Sequence, residues 1–183
     1  VCVDALAEAP TKKPILVVGG RTGCGKTAIL AQIPGSLDLE RIANHRSSAF
    51  GEFTTPQPKQ IGFENALAID YLRHDHPTLV MEDESRSIGH VALPLEWYEA
   101  MRDAPTMVVE CEMAERCRRI EEEYVFEPLR GDFDPQALQA RLAGAVTRIQ
   151  KRLGRERHAE VLKLMGTSFK QGDHAPWIER LLS

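Results

Sequence analysis

The 183-residue sequence has little excess charge of either sign and no long hydrophobic run. Its formal net charge is -4, from 23 basic and 27 acidic residues, which argues against a protein that is basic over its whole surface. A local basic face for RNA is compatible with this balance. The first residues lack a basic start and a sustained apolar stretch, and no segment approaches the length of a membrane span. We therefore expect a soluble, cytoplasmic protein that does not contact membranes.

Cysteine is also scarce, with four residues, Cys2, Cys24, Cys111 and Cys117. Their spacing matches neither the close pairs of a zinc site nor a thioredoxin-type motif, so we interpret them as free thiols. Cys24 lies inside the glycine-rich stretch described next, where we interpret it as a small residue that fits the loop. A reactive thiol at this position is the less favoured alternative.

What the sequence does contain is a phosphate-binding loop motif at positions 14–27, PILVVGGRTGCGKT. Apolar, β-branched residues predict a strand over 15–18, and a helix-forming stretch follows at 28–32. Between them, glycines let several backbone N–H groups point at one anion, while Lys26 adds a cation and Thr27 a hydroxyl for Mg²⁺. The predicted ligand contacts come from the whole loop: Gly20, Arg21, Thr22, Gly23, Cys24, Gly25, Lys26 and Thr27.

A second feature is a short apolar strand at 78–81 that ends in Glu82, Asp83 and Glu84. In P-loop proteins, the strand beside the loop delivers a carboxylate toward the phosphates and their Mg²⁺. Side chains alternate along a strand, so one or two of these acids can face the site, and we favour Glu82 or Asp83 for the metal. With Lys26 and Arg86, these two acids are the predicted catalytic groups. A solvated acidic turn is the alternative.

Arginines on the predicted helix 112–124 are further candidates for phosphate binding. Arg116 and Arg119 share one face of that helix, and a planar guanidinium can bind two phosphate oxygens at once. The competing interpretation is an exposed helix on which glutamates at 112, 115 and 121–123 balance the arginines. Both interpretations stay open on the sequence alone.

Alternating strands and helices predict an α/β fold: a P-loop NTPase-like parallel sheet flanked by helices, with a C-terminal helical extension and the ligand at the carboxyl ends of the strands. Predicted strands are 15–18, 36–39, 78–81 and 106–109, and predicted helices are 63–72, 95–102 and 112–124. From Asp134-Pro135 a helical period continues to Gly154, and two helices follow through 161–165 and 177–182. The predicted segments are a linker or ragged end at 1–13, the P-loop domain at 14–133 and the extension at 134–183.

The stretch 43–51 is polar and rich in small residues, and two prolines follow at positions 56 and 58. A long loop in a compact domain is usually functional. This loop contains Asn44, His45 and Arg46, whose side chains suit hydrogen bonding to a base or sugar, or stacking on it. For a lone histidine, the alternative is a structural role.

Several of these segments, in this order, resemble the P-loop domain of the tRNA 2-selenouridine synthase family. The similar segments are 19–27, 38–51, 57–60 with 63–65, 82–89, 151–154 and 174–178, which together span nearly the whole chain. The loop motif is generic, whereas the Ala-Asn-His-Arg-Ser and Glu-Asp-Glu-Ser-Arg stretches are far more specific. The resemblance implies substrate or tRNA contacts at Asn44, His45, Arg46, Ser47, Gln57, Gln60, Glu64 and Asn65.

The resemblance implies replacement of sulfur by selenium at position 2 of the wobble uridine of tRNA, through a geranylated 2-thiouridine intermediate. It implies Mg²⁺ with geranyl diphosphate, ATP or GTP at the loop, selenophosphate as co-substrate, and the anticodon region of tRNA as partner. Full-length members resemble a fusion with a rhodanese-like domain that carries the catalytic cysteine, and no cysteine of this chain matches that residue. We therefore expect a shortened chain or a separately encoded half that does not complete selenation by itself.

Two other classes of function stay open beside this resemblance. A small-molecule or nucleotide kinase using ATP fits the strands, the arginine-bearing helix and the chain length equally well. A non-catalytic module that binds tRNA or a nucleotide is the third class, and the net negative charge counts mildly against it.

Overall fold

A computed structural model describes residues 6, 12–46, 48–51, 53, 55–131 and 133–183. Its residues form two compact units: Val1–Arg21 with Gly25–Glu110, and Thr22–Cys24 with Cys111–Ser183. The sequence pattern instead placed a boundary after residue 133, because Asp134-Pro135 is a strong helix start. In the structure that helix start lies within the second unit. Most of the predicted linker at 1–13 lies outside the described residues.

The first unit is an α/β layer structure. Its strands are β1 (Ile15–Gly20), β2 (Leu79–Glu82), β3 (Ser87–Ile88), β4 (Val91–Ala92) and β5 (Thr106–Val109), and its helices are α1 (Lys26–Leu30), α2 (Leu39–Ala43), α3 (Gln60–Arg73) and α4 (Leu95–Asp103). Three strands form a parallel sheet in the order β2-β1-β5, and β3 and β4 form a separate antiparallel hairpin. The predicted parallel sheet flanked by helices is confirmed.

The central strand β1 carries the site at its carboxyl end. Its residues Val17 and Val18 are buried, as expected for a β-branched strand covered on both faces. Val18 is in register with Glu82 of β2, and Gly20 is in register with Val109 of β5. Because the strands are parallel, the residues that follow β1 and β2 leave the sheet at the same edge.

The strand predicted over 36–39 is wrong in extent. Only Leu37 pairs, in a parallel bridge with Met81. The next residue, Asp38, caps α2, since its carboxylate accepts a hydrogen bond from the Arg41 backbone N–H at 2.8 Å. An aspartate that satisfies a helix N–H at the N-cap stabilises the helix start, and here this local preference ends the strand after one residue.

The apolar core of the first unit is packed between the sheet and its helices. Phe63 and Leu67 of α3 and Trp97 of α4 are fully buried. The Trp97 indole N–H donates to the Leu6 carbonyl at 2.8 Å, and its ring lies edge-on to Tyr71 with centroids 5.8 Å apart. Burying each such apolar side chain contributes about 1.5–3 kcal/mol, so these residues anchor the helices that surround the site.

The regular secondary structure in the described residues of the second unit is all helical. It contains α5 (Met113–Glu121), a π-helical turn (Glu122–Phe126), α6 (Glu127–Arg130), α7 (Pro135–Arg148), α8 (Gln150–Leu153), α9 (Arg155–Gln171) and α10 (Ala175–Leu182). The single helix predicted from 134 to 154 is divided at Ile149, whose ψ of 12° departs from helical geometry. Asp134 caps α7 by accepting from the Ala137 N–H at 2.7 Å.

The core of the second unit includes a histidine, His174, which is 3% exposed. Its Nδ1 accepts a hydrogen bond from the Trp177 indole N–H at 3.2 Å, and its backbone N–H donates to the Glu121 carboxylate at 3.1 Å. Phe169 lies edge-on to the imidazole with centroids 4.7 Å apart. Burial lowers the pKa of His174, and the carboxylates of Glu121 and Asp173 oppose that shift.

Candidate phosphate-binding site

The loop after β1 turns on glycines that adopt positive φ values. Gly23 has φ of 82°, and a Cβ at this position would lie 2.8 Å from the Arg116 carbonyl oxygen and 2.9 Å from Ile120 Cδ1. Gly25 has φ of 89° and ψ of 26° and forms the N-cap of α1. A left-handed conformation costs other residues about 1–2 kcal/mol, so the spacing of glycines in the motif has a structural cause.

Lys26 folds back along the loop that precedes it. Its Nζ donates to the Gly20 carbonyl oxygen at 3.0 Å. Thr27, the next residue, is exposed at the start of α1. The ammonium group and the hydroxyl therefore belong to the same first turn, next to the backbone N–H groups of the loop.

Asp83 is the acid that lies beside the start of the loop. Its backbone N–H donates to the Val18 carbonyl at 2.9 Å, which continues the pairing of β2 with β1 by one residue. A Cβ built on Gly19 would lie 3.6 Å from Asp83 Oδ2 and 2.9 Å from Thr106 Cγ2. The Asp83 side chain is exposed, so glycine at position 19 leaves room for a carboxylate next to the loop.

Glu82 and Glu84 are both buried, unlike Asp83 between them, as alternation along an extended chain predicts. Glu82 is fully buried, and its Oε1 accepts a hydrogen bond from the Glu40 backbone N–H at 3.1 Å. One carboxylate oxygen each from Glu40, Glu82 and Glu84 lies within 4.8 Å of the others. Burial, and then the nearby carboxylates, raise the pKa of Glu82 to about 8.

Glu40 was not predicted as a site residue from the sequence. Its position in the first turn of α2, two residues after the capping residue Asp38, brings it to the end of β2. The signal in the sequence was the short strand predicted over 36–39, which leads directly to Glu40. In the structure Leu37 of this segment pairs with Met81, which brings the residues after it to the same sheet edge.

The arginines of α5 have different partners. Arg116 is buried and donates from Nε to the Thr22 carbonyl at 2.9 Å, within the second unit. Arg119 instead pairs with Glu115 at 2.9 Å, and Arg118 pairs with the same carboxylate at 2.7 Å. Hydrogen bonds from Arg118 and Arg119 lower the pKa of Glu115 to about 2. Arg116 thus holds the backbone of the loop, whereas Arg119 lies in a glutamate-balanced helix face.

The loop that follows α2 is organised by its own polar residues. Asn44 adopts a left-handed conformation with φ of 48°, and its amide donates to the Thr55 carbonyl at 3.1 Å and to Thr55 Oγ1 at 2.8 Å. His45 is buried, and the Arg46 guanidinium lies over the Phe53 ring at 5.0 Å. Ser47, also a predicted contact, lies outside the described residues.

Two glutamines tie this region to the β3–β4 hairpin. The Gln57 amide donates to the Ala43 carbonyl at 2.9 Å and to the Ile88 carbonyl at 3.0 Å, while its oxygen accepts from the His90 N–H at 2.9 Å. Gln60 exchanges hydrogen bonds with the Ala92 backbone at 2.7 and 2.9 Å. These side chains therefore act as internal cross-links.

The remaining predicted contacts are nearer to solvent. The Glu64 carboxylate accepts a hydrogen bond from the Gln60 amide at 2.8 Å. Asn65 on α3 is exposed, as are Arg86 before β3 and Arg21 in the phosphate loop. Exposed side chains of this kind are accessible to a ligand without rearrangement of the core.

A glycine-rich loop between the central parallel strand and a helix, with an acid beside it on the neighbouring strand, defines a P-loop domain of the NTPase type. The model of the tRNA 2-selenouridine synthase AAA domain matches residues 13–183. The chain belongs to this family, which confirms the resemblance carried by its motifs.

Curated relatives agree with this assignment. The chain is 42% identical to the tRNA 2-selenouridine synthase of Pseudomonas syringae pv. tomato, over 98% of the chain and 54% of the relative. It is 42% identical to that of Pseudomonas aeruginosa strain LESB58, over 91% of the chain and 50% of the relative. The chain thus spans about half the length of the curated relatives it matches. No solved structure matches, and in the described part of the chain no helix has the length and apolarity to cross a bilayer.

Proposed function

We propose that this domain binds a diphosphate group with Mg²⁺ as part of a transferase that converts wobble 2-thiouridine of tRNA to 2-selenouridine. The observation that carries the proposal is the glycine-rich stretch of Gly20 to Thr27, with positive φ at Gly23 and Gly25, together with the carboxylate of Asp83 beside Gly19. Backbone N–H groups in such a loop bind the oxygens of a diphosphate, whether it belongs to a nucleotide or to geranyl diphosphate.

The residues present have the chemistry that Mg²⁺ requires. Thr27 supplies a hydroxyl and Asp83 a carboxylate, and Mg²⁺ prefers oxygen ligands and keeps several of its waters. Bound there, the ion would neutralise charge that develops on a leaving diphosphate. Lys26 and Arg86 would stabilise the same charge, because electrostatic stabilisation by fixed cations is the main contribution a protein makes to such a departure.

Arg116 would contribute at a distance from the reaction. Its guanidinium donates to the Thr22 carbonyl and so fixes the backbone of the loop. A carbonyl held in this way cannot rotate toward the bound anion, and the loop N–H groups keep their orientation. We therefore assign Arg116 as a positioning residue, and the charge that contacts the diphosphate comes from Lys26.

Recognition of tRNA would use polar side chains of the same unit. Arg86 is an exposed cation and Arg46 a half-buried one, both suited to phosphate contacts, and Asn65 presents an exposed amide on α3. The anticodon region is the proposed partner because the base modified by the family lies there. The relatives' greater length agrees with a second domain, for which we propose the rhodanese-like fold with the catalytic cysteine, using selenophosphate.

Direct titration tests the ligand. ATP, GTP and geranyl diphosphate, each with Mg²⁺, are titrated calorimetrically into the wild-type chain and the Lys26→Ala variant. We expect binding of at least one diphosphate ligand, weakened by about 10- to 100-fold in the variant through loss of a charge-assisted contact. Lys163→Ala, which removes an exposed lysine from α9, is the matched control and should bind as wild type does. Equal affinity in Lys26→Ala would contradict the proposed loop function.

Activity is tested in a full-length protein that contains this chain. The substrate is tRNA with 2-thiouridine, supplied with geranyl diphosphate and selenophosphate, and the product is 2-selenouridine measured by mass spectrometry. Failure of a folded full-length protein to form it would refute the transferase assignment. Transfer of phosphate from ATP to a metabolite would instead identify a kinase, and tRNA binding without turnover a non-catalytic module.

A further inference from the structure

A carboxylate cluster lies at the end of β2. It comprises Glu40 of α2, Glu82 as the last residue of β2, and Glu84 two residues beyond it. One oxygen of each carboxylate lies within 4.8 Å of the others, which is a spacing that a single ion can bridge. All three residues belong to the first unit.

The second observation is the state of Glu82 within this cluster. The side chain is fully buried, and its Oε1 accepts the Glu40 N–H. Its Oε2 is also buried and has no hydrogen-bond partner among the described residues. A buried carboxylate oxygen without a partner costs free energy, because water cannot reach it and no donor replaces the water.

The charged groups that act on this carboxyl group add to the same conclusion. Glu40, Glu84 and Asp38 all repel a negative charge on Glu82. A cation bound among these carboxylates would offset this repulsion. Oxygen ligands of this kind suit hard divalent cations such as Mg²⁺, Mn²⁺ and Ca²⁺ and not the softer transition metals.

We propose that Glu40, Glu82 and Glu84 form a second divalent-cation site, separate from the Mg²⁺ that Asp83 and Thr27 would hold, and occupied without a diphosphate. The ion joins the start of α2 to the end of β2, since its ligands come from both places. It thereby fixes the strand end from which Asp83 projects toward the loop. This site goes beyond the proposed function and does not depend on which diphosphate the loop binds.

Mn²⁺ binding, followed by the loss of the electron paramagnetic resonance signal of free Mn²⁺, tests this site. The whole 183-residue chain is freed of metal with a chelator and titrated without any nucleotide or diphosphate. We expect one bound Mn²⁺ per chain in the wild type. Glu40→Gln and Glu84→Gln should each weaken it by at least about tenfold, since even partners outside the first ligand shell change affinity by that much.

Two variants serve as controls for this titration. Glu96→Gln removes an exposed carboxylate from α4 and should bind Mn²⁺ as wild type does. Asp83→Asn should also retain the ion, which separates the cluster from the loop site. Because no diphosphate is present, failure of the proposed diphosphate binding leaves this result unchanged, and the two failures are distinguishable.

Three results would overturn the proposed cation site. One is a wild-type chain that takes up no Mn²⁺ at millimolar concentration, and another is unchanged affinity in folded Glu40→Gln and Glu84→Gln. The third needs no variant: a ligand that binds only the folded chain must raise its melting temperature, so a wild type whose Tm is unmoved by Mn²⁺ refutes the site.

Discussion

The phosphate loop and the segment 44–65 are both rich in polar residues of the family motifs, and they use them differently. At the loop, Asp83 and Thr27 are exposed, and the backbone is shaped by left-handed glycines. In the segment 44–65, the amides of Asn44, Gln57 and Gln60 bond to main-chain groups of the segment itself or of neighbouring elements. A polar motif residue that bonds to main-chain groups thus stabilises the fold, whereas an exposed one is accessible to a ligand. Substitutions in the two regions should separate binding from stability.

The largest effect is expected for Gly23→Ala in the loop. Alanine at φ of 82° is strained by about 1–2 kcal/mol, and its Cβ would lie 2.8 Å from the Arg116 carbonyl, which adds about 1–3 kcal/mol of overpacking. We expect the free energy of unfolding to fall by about 2–5 kcal/mol, measured by urea denaturation.

Gly154→Ala is the matched control for this substitution. Gly154 has φ of 80°, nearly the same value, but nothing lies within 4 Å of a Cβ built there. Gly154→Ala should therefore lower the free energy of unfolding only by the conformational strain, about 1–2 kcal/mol. Equal losses at the two glycines would show that contact with Arg116 and Ile120 does not constrain the loop.

Asp83→Asn should affect binding and leave stability nearly unchanged. Asp83 is exposed, and substitutions at such positions usually change stability by less than about 0.5 kcal/mol. If Asp83 holds Mg²⁺ as we propose, its substitution should weaken Mg²⁺-dependent diphosphate binding by about 10- to 100-fold, measured by calorimetry. A titration without Mg²⁺ should show little difference between variant and wild type. If Asp83→Asn bound the diphosphate normally with Mg²⁺, the metal role of Asp83 would be excluded.

Gln57→Ala should do the reverse. The Gln57 amide and oxygen make three hydrogen bonds to the backbone at Ala43, Ile88 and His90. Removing them leaves the part-buried carbonyls of Ala43 and Ile88 without these bonds, at a cost of about 1–3 kcal/mol in the free energy of unfolding. Asn65→Ala, an exposed amide on α3, is the control and should be nearly neutral. Loss of tRNA affinity without loss of stability in Gln57→Ala would show that this side chain contacts substrate after all.

The parts of the fold and site that the sequence predicts well are those where a chemical requirement also fixes the local backbone geometry. The loop motif requires glycines at fixed spacing. A strand that ends in acids is typical of the strand beside a P-loop. The parallel sheet and the edge that carries the site were therefore predictable. The family was predictable from two specific stretches, around Asn44 and Glu82. Residue spacing alone, however, left Glu82 and Asp83 equivalent. The structure distinguishes the two acids, because Glu82 accepts a hydrogen bond from the Glu40 backbone N–H. This contact exists only in the tertiary structure.

Other parts of the chain depend on contacts that no local pattern encodes. The helix after 134 was predicted to continue to 154, but it is divided at Ile149, where its apolar periodicity gives no warning. The strand predicted over 36–39 is not formed beyond Leu37, because Asp38 caps α2 instead. The roles of Arg116 and Arg119 diverge because one finds the Thr22 carbonyl and the other finds Glu115. The Arg116 outcome was decided by a partner distant in sequence, and those of Asp38 and Arg119 by partners within four residues.

The smallest effect is expected at His174, a buried polar residue of the second unit that serves the fold as Gln57 does in the first. Burial lowers its pKa from the ordinary value of about 6.5, and Nδ1 must stay unprotonated to accept from Trp177. The unfolded chain therefore binds the proton more readily, so stability present above pH of about 6.5 is lost as the pH falls through the folded pKa. Urea denaturation at pH 7.5 and 5.5 should show a smaller loss in His174→Gln than in wild type. His90→Gln, on an exposed turn, should keep the wild-type difference, and an unchanged difference in His174→Gln would refute this origin.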